Sequence, residues 1–344
     1  MGDHNPPMTK PLTKFPAYGA AFGLAALLVA LSGCSQAPAQ APVANSAAQK
    51  QPGLFLTFDQ LKAQMFRLSA GRRIKPKSWP GGTKVAVALS FDVDNATTQL
   101  RSGDLGSEVM SRGEYGAVDG LPRILAVLDR QNVPASFYIP AVSHLLHPDQ
   151  VKNIMAAKQK HEIGIHGWIH EDLPALDDAA KEQSMLTGAI ETLTAAMGKK
   201  PVGYRAPSWH FSQYTMAQVV KAGFLYDSSL MASDDAYEIN VDGKPSGVIE
   251  LPIERIVDDA PYFGAASGSL PSPDLVEAIF ESEFDVAWQE GGLYVLTMHP
   301  HYTGHRSRAA ALEKLIRHMK SKPGVWFATE EQIANYLKTD VTRH

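Results

Sequence analysis

Apolar residues follow two rhythms along this chain. Short unbroken runs at residues 85–91, 135–139, 162–165, 202–205, 224–226, 248–253, 293–298 and 325–328 have the length and turn-rich borders of buried strands. Between them, apolar residues three and four apart mark helical faces. Leu121, Ile124, Leu125 and Leu128 form one, with Asp119 as the expected cap and Pro122 in the first turn. A helix is expected from about Asp149 to Lys160. Met185, Leu186, Ile190, Leu193 and Met197 form a further face, ended by Gly198, and Ser272-Pro273 opens another helix running to Gly291. Leu312, Leu315, Ile316 and Met319 line the next, and Thr329 with Gln332 starts the last.

Seven or eight β/α units without a break in composition predict one barrel-like α/β domain over residues 84–338. Residues 54–83 lead into it. There Thr57 and Gln60 fit a capping box, and Phe58, Leu61, Met65 and Leu68 share a face of a helix expected to end near Gly71 and to pack on the domain. The stretch 72–83, with Pro76, Pro80, Gly81 and Gly82, reads as loop. No internal repeat and no glycine-rich phosphate loop is evident.

The N-terminal segment has a different rhythm. Lys10 and Lys14 precede the apolar residues 17–31, and Leu31-Ser32-Gly33-Cys34 follows. A positive start, a short apolar run and small residues make a secretory signal, shorter than the ~20 residues that span a bilayer. Its end resembles a bacterial lipobox, which implies a signal peptide over residues 1–33 and a lipid on Cys34. Ser35 leans toward outer-membrane sorting, and Met8 serves as a start as well as Met1 does. Residues 34–53, rich in Ala, Pro and Gln, are expected to be a flexible tether.

Composition narrows the function. Hydrophobic residues are 44% of 344 and the net charge is -4, so no clustered basic surface calls for a nucleic-acid partner. Cys34 is the single cysteine, which excludes an internal disulfide and a thiolate-rich metal site.

The polar residues that matter fall at strand ends. The run 85–91 closes in Ser90-Phe91-Asp92-Val93-Asp94, delivering two carboxylates to the rim of a sheet. His166 and His170 follow another strand and, four apart, can face one way. With Asp94 they would form a site of two imidazoles and one carboxylate, with positions left open as catalytic metal sites have them. Arg205 to Trp209 come after a third strand, where an arginine could grip a carboxylate and an indole could wall a sugar. Tyr226-Asp227-Ser228-Ser229 and His299-Pro300-His301 follow two more. Each alone is as well explained by an ordinary turn, a chance histidine pair or a packed Trp; their shared position sets them apart.

In that order these five segments resemble the motifs of the polysaccharide deacetylases, the NodB-homology domain, from about Lys84 to Ala328. The resemblance implies a single distorted (β/α) barrel with an open metal site. It makes Asp92 the general base, Asp94, His166 and His170 the ligands of a divalent metal, usually zinc, and His299 the general acid. Arg205 would restrain Asp92, and Pro207, Trp209, Tyr226 and Asp227 would meet the substrate. The commonest first motif has adjacent aspartates followed by Gly. Here Val93 intervenes and Asn95 follows, as in the branch holding peptidoglycan deacetylases and allantoinase-like, cyclic-imide-hydrolysing members. Residues 112–116, 250–252 and 258–263 resemble that branch too.

The expected activity is removal of N-acetyl groups from an aminosugar polymer by activated water, with no covalent nucleophile. A small cyclic imide or ureide is the alternative substrate, and a tethered glycan-binding protein the alternative class. The remaining histidines, 144, 147, 161, 210, 301, 305, 318 and 344, read as surface or loop residues, and Trp288 and Trp326 as core. Arg306 and Arg308 either touch an anionic substrate or solvate a helix start.

Overall fold

In the computed structural model, residues 52–264 and 270–341 are described. Cys34, the signal segment and the tether lie outside them. Residues up to Phe55 form a unit of their own, of which only the turn Pro52–Phe55 is described. The unit from Leu56 onward carries every other element and the site.

The sheet is built from β1 (Leu68–Arg73), β2 (Val85–Asp92), β3 (Ser136–Ile139), β4 (Glu162–Ile165), β5 (Gly203–Tyr204), β6 (Tyr226–Asp227), β7 (Tyr237–Val241), β8 (Lys244–Glu250), β9 (Leu293–Met298) and β10 (Val325–Phe327). From β9 through β2, β3, β4, β5 and β6 to β8 every neighbouring pair is parallel, and β10 adds to the start of β2. Beyond β8, an isolated parallel bridge joins Asp258 to Thr297 of β9, so the curl returns toward its starting edge. This is the distorted (β/α) barrel. β2 and β9 are buried along their whole length, as strands covered on both faces must be.

Three elements differ from expectation. The first helix stops at Met65, and Leu68–Arg73 is β1, paired antiparallel with β7. Its capping box is present, yet Phe58, Leu61 and Met65 stay exposed rather than packed on the domain. Asp119 caps nothing: helical backbone runs through Ser107–Tyr115, a π turn at Gly116–Gly120 and Leu121–Gln131. Trp288 and Trp326 are half-buried, with the Lys84 ammonium 3.9 Å from the Trp288 ring. No helix among the described residues is long and apolar enough to cross a membrane.

That long helical stretch approaches the site-bearing loops through glycines. A Cβ on Gly120 would lie 2.2 Å from the Pro300 carbonyl oxygen, and one on Gly116 2.6 Å from Asn95 Oδ1. Any side chain there would push the helix away from the loops after β2 and β9.

Candidate active site

The loops at the C-terminal ends of the parallel strands carry unusual backbone. Asn95, His170, Ser208 and Trp209 have φ of 51°, 57°, 53° and 60°. Left-handed backbone costs a non-glycine residue about 1–3 kcal/mol and persists where surroundings fix it. Asn tolerates it best, and Asn95 is fixed by its amide, which donates to Ser143 Oγ at 2.8 Å and Gln150 Oε1 at 2.9 Å. The position after Asp94 thus has the backbone that glycine supplies in the commoner motif.

Asp94, His166 and His170 are buried and offer ligand atoms all within 4.8 Å of one another. His166 Nε2 lies 3.4 Å from Asp94 Oδ1, and His170 Nε2 3.5 Å from Asp94 Oδ2. His166 Nδ1 sits 2.9 Å from the Arg205 carbonyl oxygen. A carbonyl only accepts, so Nδ1 carries the proton and Nε2 keeps its lone pair facing Asp94. Burial lowers both histidines, His170 to about 4 with Arg101 adding to the effect, so both are neutral, as ligands must be. Asp94 Oδ1 is buried without a hydrogen-bond donor among the described residues. An unsatisfied buried carboxylate oxygen beside two imidazole lone pairs is costly alone and suited to a divalent cation. Glu171 shapes this turn, its carboxylate accepting from the Trp168 and Ile169 amides.

Asp92 occupies the neighbouring position with a different partner. Arg205 Nη1 donates to its Oδ1 at 2.8 Å. The guanidinium is fully buried and also donates to Ser90 Oγ, the Ser228 carbonyl and hydroxyl, and Glu330 Oε1 at 3.2 Å. The Tyr138 ring centre is 4.1 Å from it. Burial by itself would raise the Asp92 pKa, but Arg205 above all, with the charge on His299, holds it below the usual carboxylate value. Glu330 continues inward: its Oε2 accepts from Tyr138, whose hydroxyl meets that of Tyr226, which donates to Glu162 Oε1. Ser136 Oγ closes the ring, donating to Glu162 Oε2 and accepting from the Glu330 amide.

That ring corrects two expectations. Tyr226 and Asp227 are fully buried and do not line the cavity above Asp92 and Asp94. Tyr226 belongs to the polar interior of the barrel. Asp227, pushed up to about 7 by burial, bonds to Ser229 Oγ under the loop. Pro207 is likewise buried and packs near Gly167 instead of facing the cavity.

His299 lies across from Asp92. Its Nε2 is 3.7 Å from Asp94 Oδ2 and 4.0 Å from Asp92 Oδ2, while Nδ1 is 2.7 Å from Asp259 Oδ1. Asp259 is itself fixed, its Oδ2 accepting from the His299 and Thr303 amides and the Thr303 hydroxyl. Burial opposes charge on His299, yet Asp259, with Asp258 and Asp94 behind it, outweighs burial, and the imidazole pKa rises well above the ordinary value. Asp259 is therefore the foremost of the groups that hold charge on His299. The adjacent pair Asp258-Asp259 is visible in the sequence, but not which of the two meets a histidine forty positions on.

The cavity is lined by Asp92, Asp94, His166, His170 and His299, with Trp209, Arg255, Asp258, His301 and Tyr302 among its other walls. His301 and His210, read from sequence as loop residues, both face it. Arg308 does not: it stacks 3.9 Å from the Phe263 ring centre and donates to the Tyr302 carbonyl.

A family model for polysaccharide deacetylase matches residues 83–226. A solved Mycobacterium smegmatis protein, a candidate polysaccharide deacetylase, is 35% identical over 80% of this chain and 96% of its own, with a TM-score of 0.72. The chain belongs to the polysaccharide deacetylase family. It is a hydrolase of carbon–nitrogen bonds other than peptide bonds. Among the chain's relatives, the peptidoglycan deacetylase of Helicobacter pylori is 29% identical over 287 residues, 74% of this chain and 97% of that one. Puue allantoinase, at 25% identity, covers 77% of this chain and 94% of its own with a TM-score of 0.69.

Proposed function

We propose that this family member is a metal-dependent N-deacetylase of an aminosugar polymer, with peptidoglycan as the first candidate. The observation that carries the reading is one arrangement: three convergent ligand residues between a carboxylate held by Arg205 and an imidazole held by Asp259. The near full-length likeness to a peptidoglycan deacetylase supports the polymer.

A divalent ion held by Asp94, His166 and His170, zinc foremost, would supply Lewis-acid polarisation of the amide carbonyl and ease deprotonation of water. The chain's own groups do the rest. Asp92 Oδ1 is tied to Arg205, leaving Oδ2, 3.7 Å from His166 Nε2 and 4.0 Å from His299 Nε2, to accept the proton of the attacking water. His299, charged through Asp259, delivers a proton from Nε2 to the departing nitrogen. The C–O bond forms first and the C–N bond then breaks as the nitrogen takes up the proton, giving acetate and a free amine. Trp209 stands at the wall where a sugar ring would stack.

The test is acetate release from N-acetylated glycan fragments by chelator-treated protein to which zinc or another divalent metal is returned. Release that requires metal is expected; none with any metal overturns the reading. The likeness to an allantoinase favours a second substrate class, a small cyclic imide or ureide. Ring-opening of such compounds by protein inert toward glycans would select it. A lipid anchor at Cys34 and an outer-membrane address complete the proposal, supported by the lipobox-like Leu31-Ser32-Gly33-Cys34. Fatty-acid labelling in a bacterial host should be lost in Cys34→Ala, and a label that persists would rule the anchor out.

A further inference from the structure

The cationic side chains around the site have their partners, with one exception. Arg205 is fixed on Asp92 and Glu330, Arg101 donates to the His170 carbonyl, and Arg308 donates to the Tyr302 carbonyl. Arg255, exposed on the turn Arg255–Val257, is the one Lys or Arg among the described residues that lines the cavity. Its guanidinium has no hydrogen bond or ion pair among those residues and stands 5.7 Å from the centre of the Trp209 ring. Apart from His299, whose charge is held by Asp259, the other charged walls are acidic, Asp92, Asp94 and Asp258.

Trp209 is no loose side chain. It and Ser208 hold consecutive left-handed backbone, the Ala206 amide donates to Ser229 Oγ, and the indole packs on the buried apolar cluster that includes Ile249, Leu251 and Ile253. A rigid aromatic face therefore stands beside an uncommitted guanidinium at the mouth of a hydrolytic centre.

We infer that Arg255 and Trp209 form a subsite for a carboxylate carried by the N-acetylated sugar substrate, the indole taking the sugar face and the guanidinium the carboxylate. This deepens the glycan-deacetylase reading and rests on it. A planar guanidinium binds carboxylate through two parallel N–H donors, whereas a neutral polymer of N-acetylglucosamine offers it no anion. Two sources of the carboxylate fit: the lactyl ether of an N-acetylmuramic acid residue, or a peptide attached to it.

The experiment compares three probes of equal sugar length: a chitooligosaccharide, a peptide-free strand alternating N-acetylglucosamine with N-acetylmuramic acid, and that strand bearing its peptides. Binding is measured calorimetrically on an Asp92→Asn background with zinc added, so that turnover does not intrude. Tighter binding of the carboxylate strands is expected, with the preference over chitooligosaccharide falling about tenfold in Arg255→Ala, the loss of a charged hydrogen bond. Arg255→Lys should retain part of it. Preference shared by the peptide-free strand identifies the lactyl group; preference confined to the other identifies the peptide. Equal binding of all three probes, or a preference that survives Arg255→Ala, overturns the subsite. Failure of the Asp92-intact protein to release acetate from every probe overturns the deacetylase reading instead, and the binding comparison still decides the subsite.

Discussion

Two buried ion pairs flank the cluster of Asp94, His166 and His170, Arg205–Asp92 at 2.8 Å and Asp259–His299 at 2.7 Å, and they do opposite things. In the first the carboxylate faces the cavity and the cation is fixed behind it; in the second the cation faces the cavity and the carboxylate is fixed behind. The fixed member decides which charge survives. Arg205 favours Asp92 without its proton and Asp259 favours His299 with its proton, the states that the proposed base and the proposed acid need. On the proposed mechanism one kind of bond, turned around, would make a base and an acid a few ångströms apart.

The largest effect should come from removing the fixed member of the first pair. Arg205→Ala leaves Asp92 and Glu330 as buried carboxylates without a cation, which costs about 3–5 kcal/mol. Denaturant unfolding should show that loss together with vanished activity; a normal midpoint would mean the guanidinium only occupies space. Asp92→Asn keeps an acceptor for Arg205, so the fold should hold while the rate of acetate release falls about 10²–10⁴-fold. A loss under tenfold would assign the base elsewhere.

Asp259→Asn is the matching change on the other side. Without that carboxylate, burial of His299 is opposed only by the weaker pull of Asp258 and Asp94 and its pKa drops, so the alkaline limb of the pH–rate profile should move to lower pH. Stability has a definite sign as well. A histidine raised in the folded state contributes fully below its unfolded value near 6.5, and that contribution disappears as pH rises through the folded value. The stability gap between wild type and Asp259→Asn should therefore be widest in acid and narrow toward alkaline pH. A gap independent of pH would break the comparison.

How far the sequence discloses this depends on locality. Asp92, Asp94, His166, Arg205 and His299 are legible because each directly follows an apolar run, and strand ends converge whatever the loops do. β1 is not legible, because its pairing partner Tyr237–Val241 lies far along the chain and its own Leu68–Arg73 extends a helical pattern. The stretch after Asp94 hides its helix because Gly113, Gly116 and Gly120 argue against one; they are there for close approach to Ala96, Asn95 and Pro300. Tyr226 and Asp227 misled because a strand end of two residues points one side chain inward and buries the next beneath a loop. Arg255 and Glu330 carry no motif, and only the fold brings them to the site.

Glu330→Gln should give the smallest effect and the sharpest reading of the first pair. Glu330 and Asp92 share the Arg205 guanidinium, and each carboxylate repels charge on the other. Glutamine can still accept from Arg205, so the guanidinium stays in place while one negative charge leaves. Asp92 then has Arg205 to itself, its pKa falls further, and the acid limb of the pH–rate profile should move to lower pH with the alkaline limb unmoved. Stability should change by about 1 kcal/mol or less, since a buried charge and its desolvation are removed together. Asp259→Asn shifts the alkaline limb alone and Glu330→Gln the acid limb alone, if the two pairs are independent. Should Glu330→Gln move both limbs, the polar ring through Tyr138, Tyr226 and Glu162 would be setting the shape of the whole site, and base and acid would have to be treated as one coupled unit.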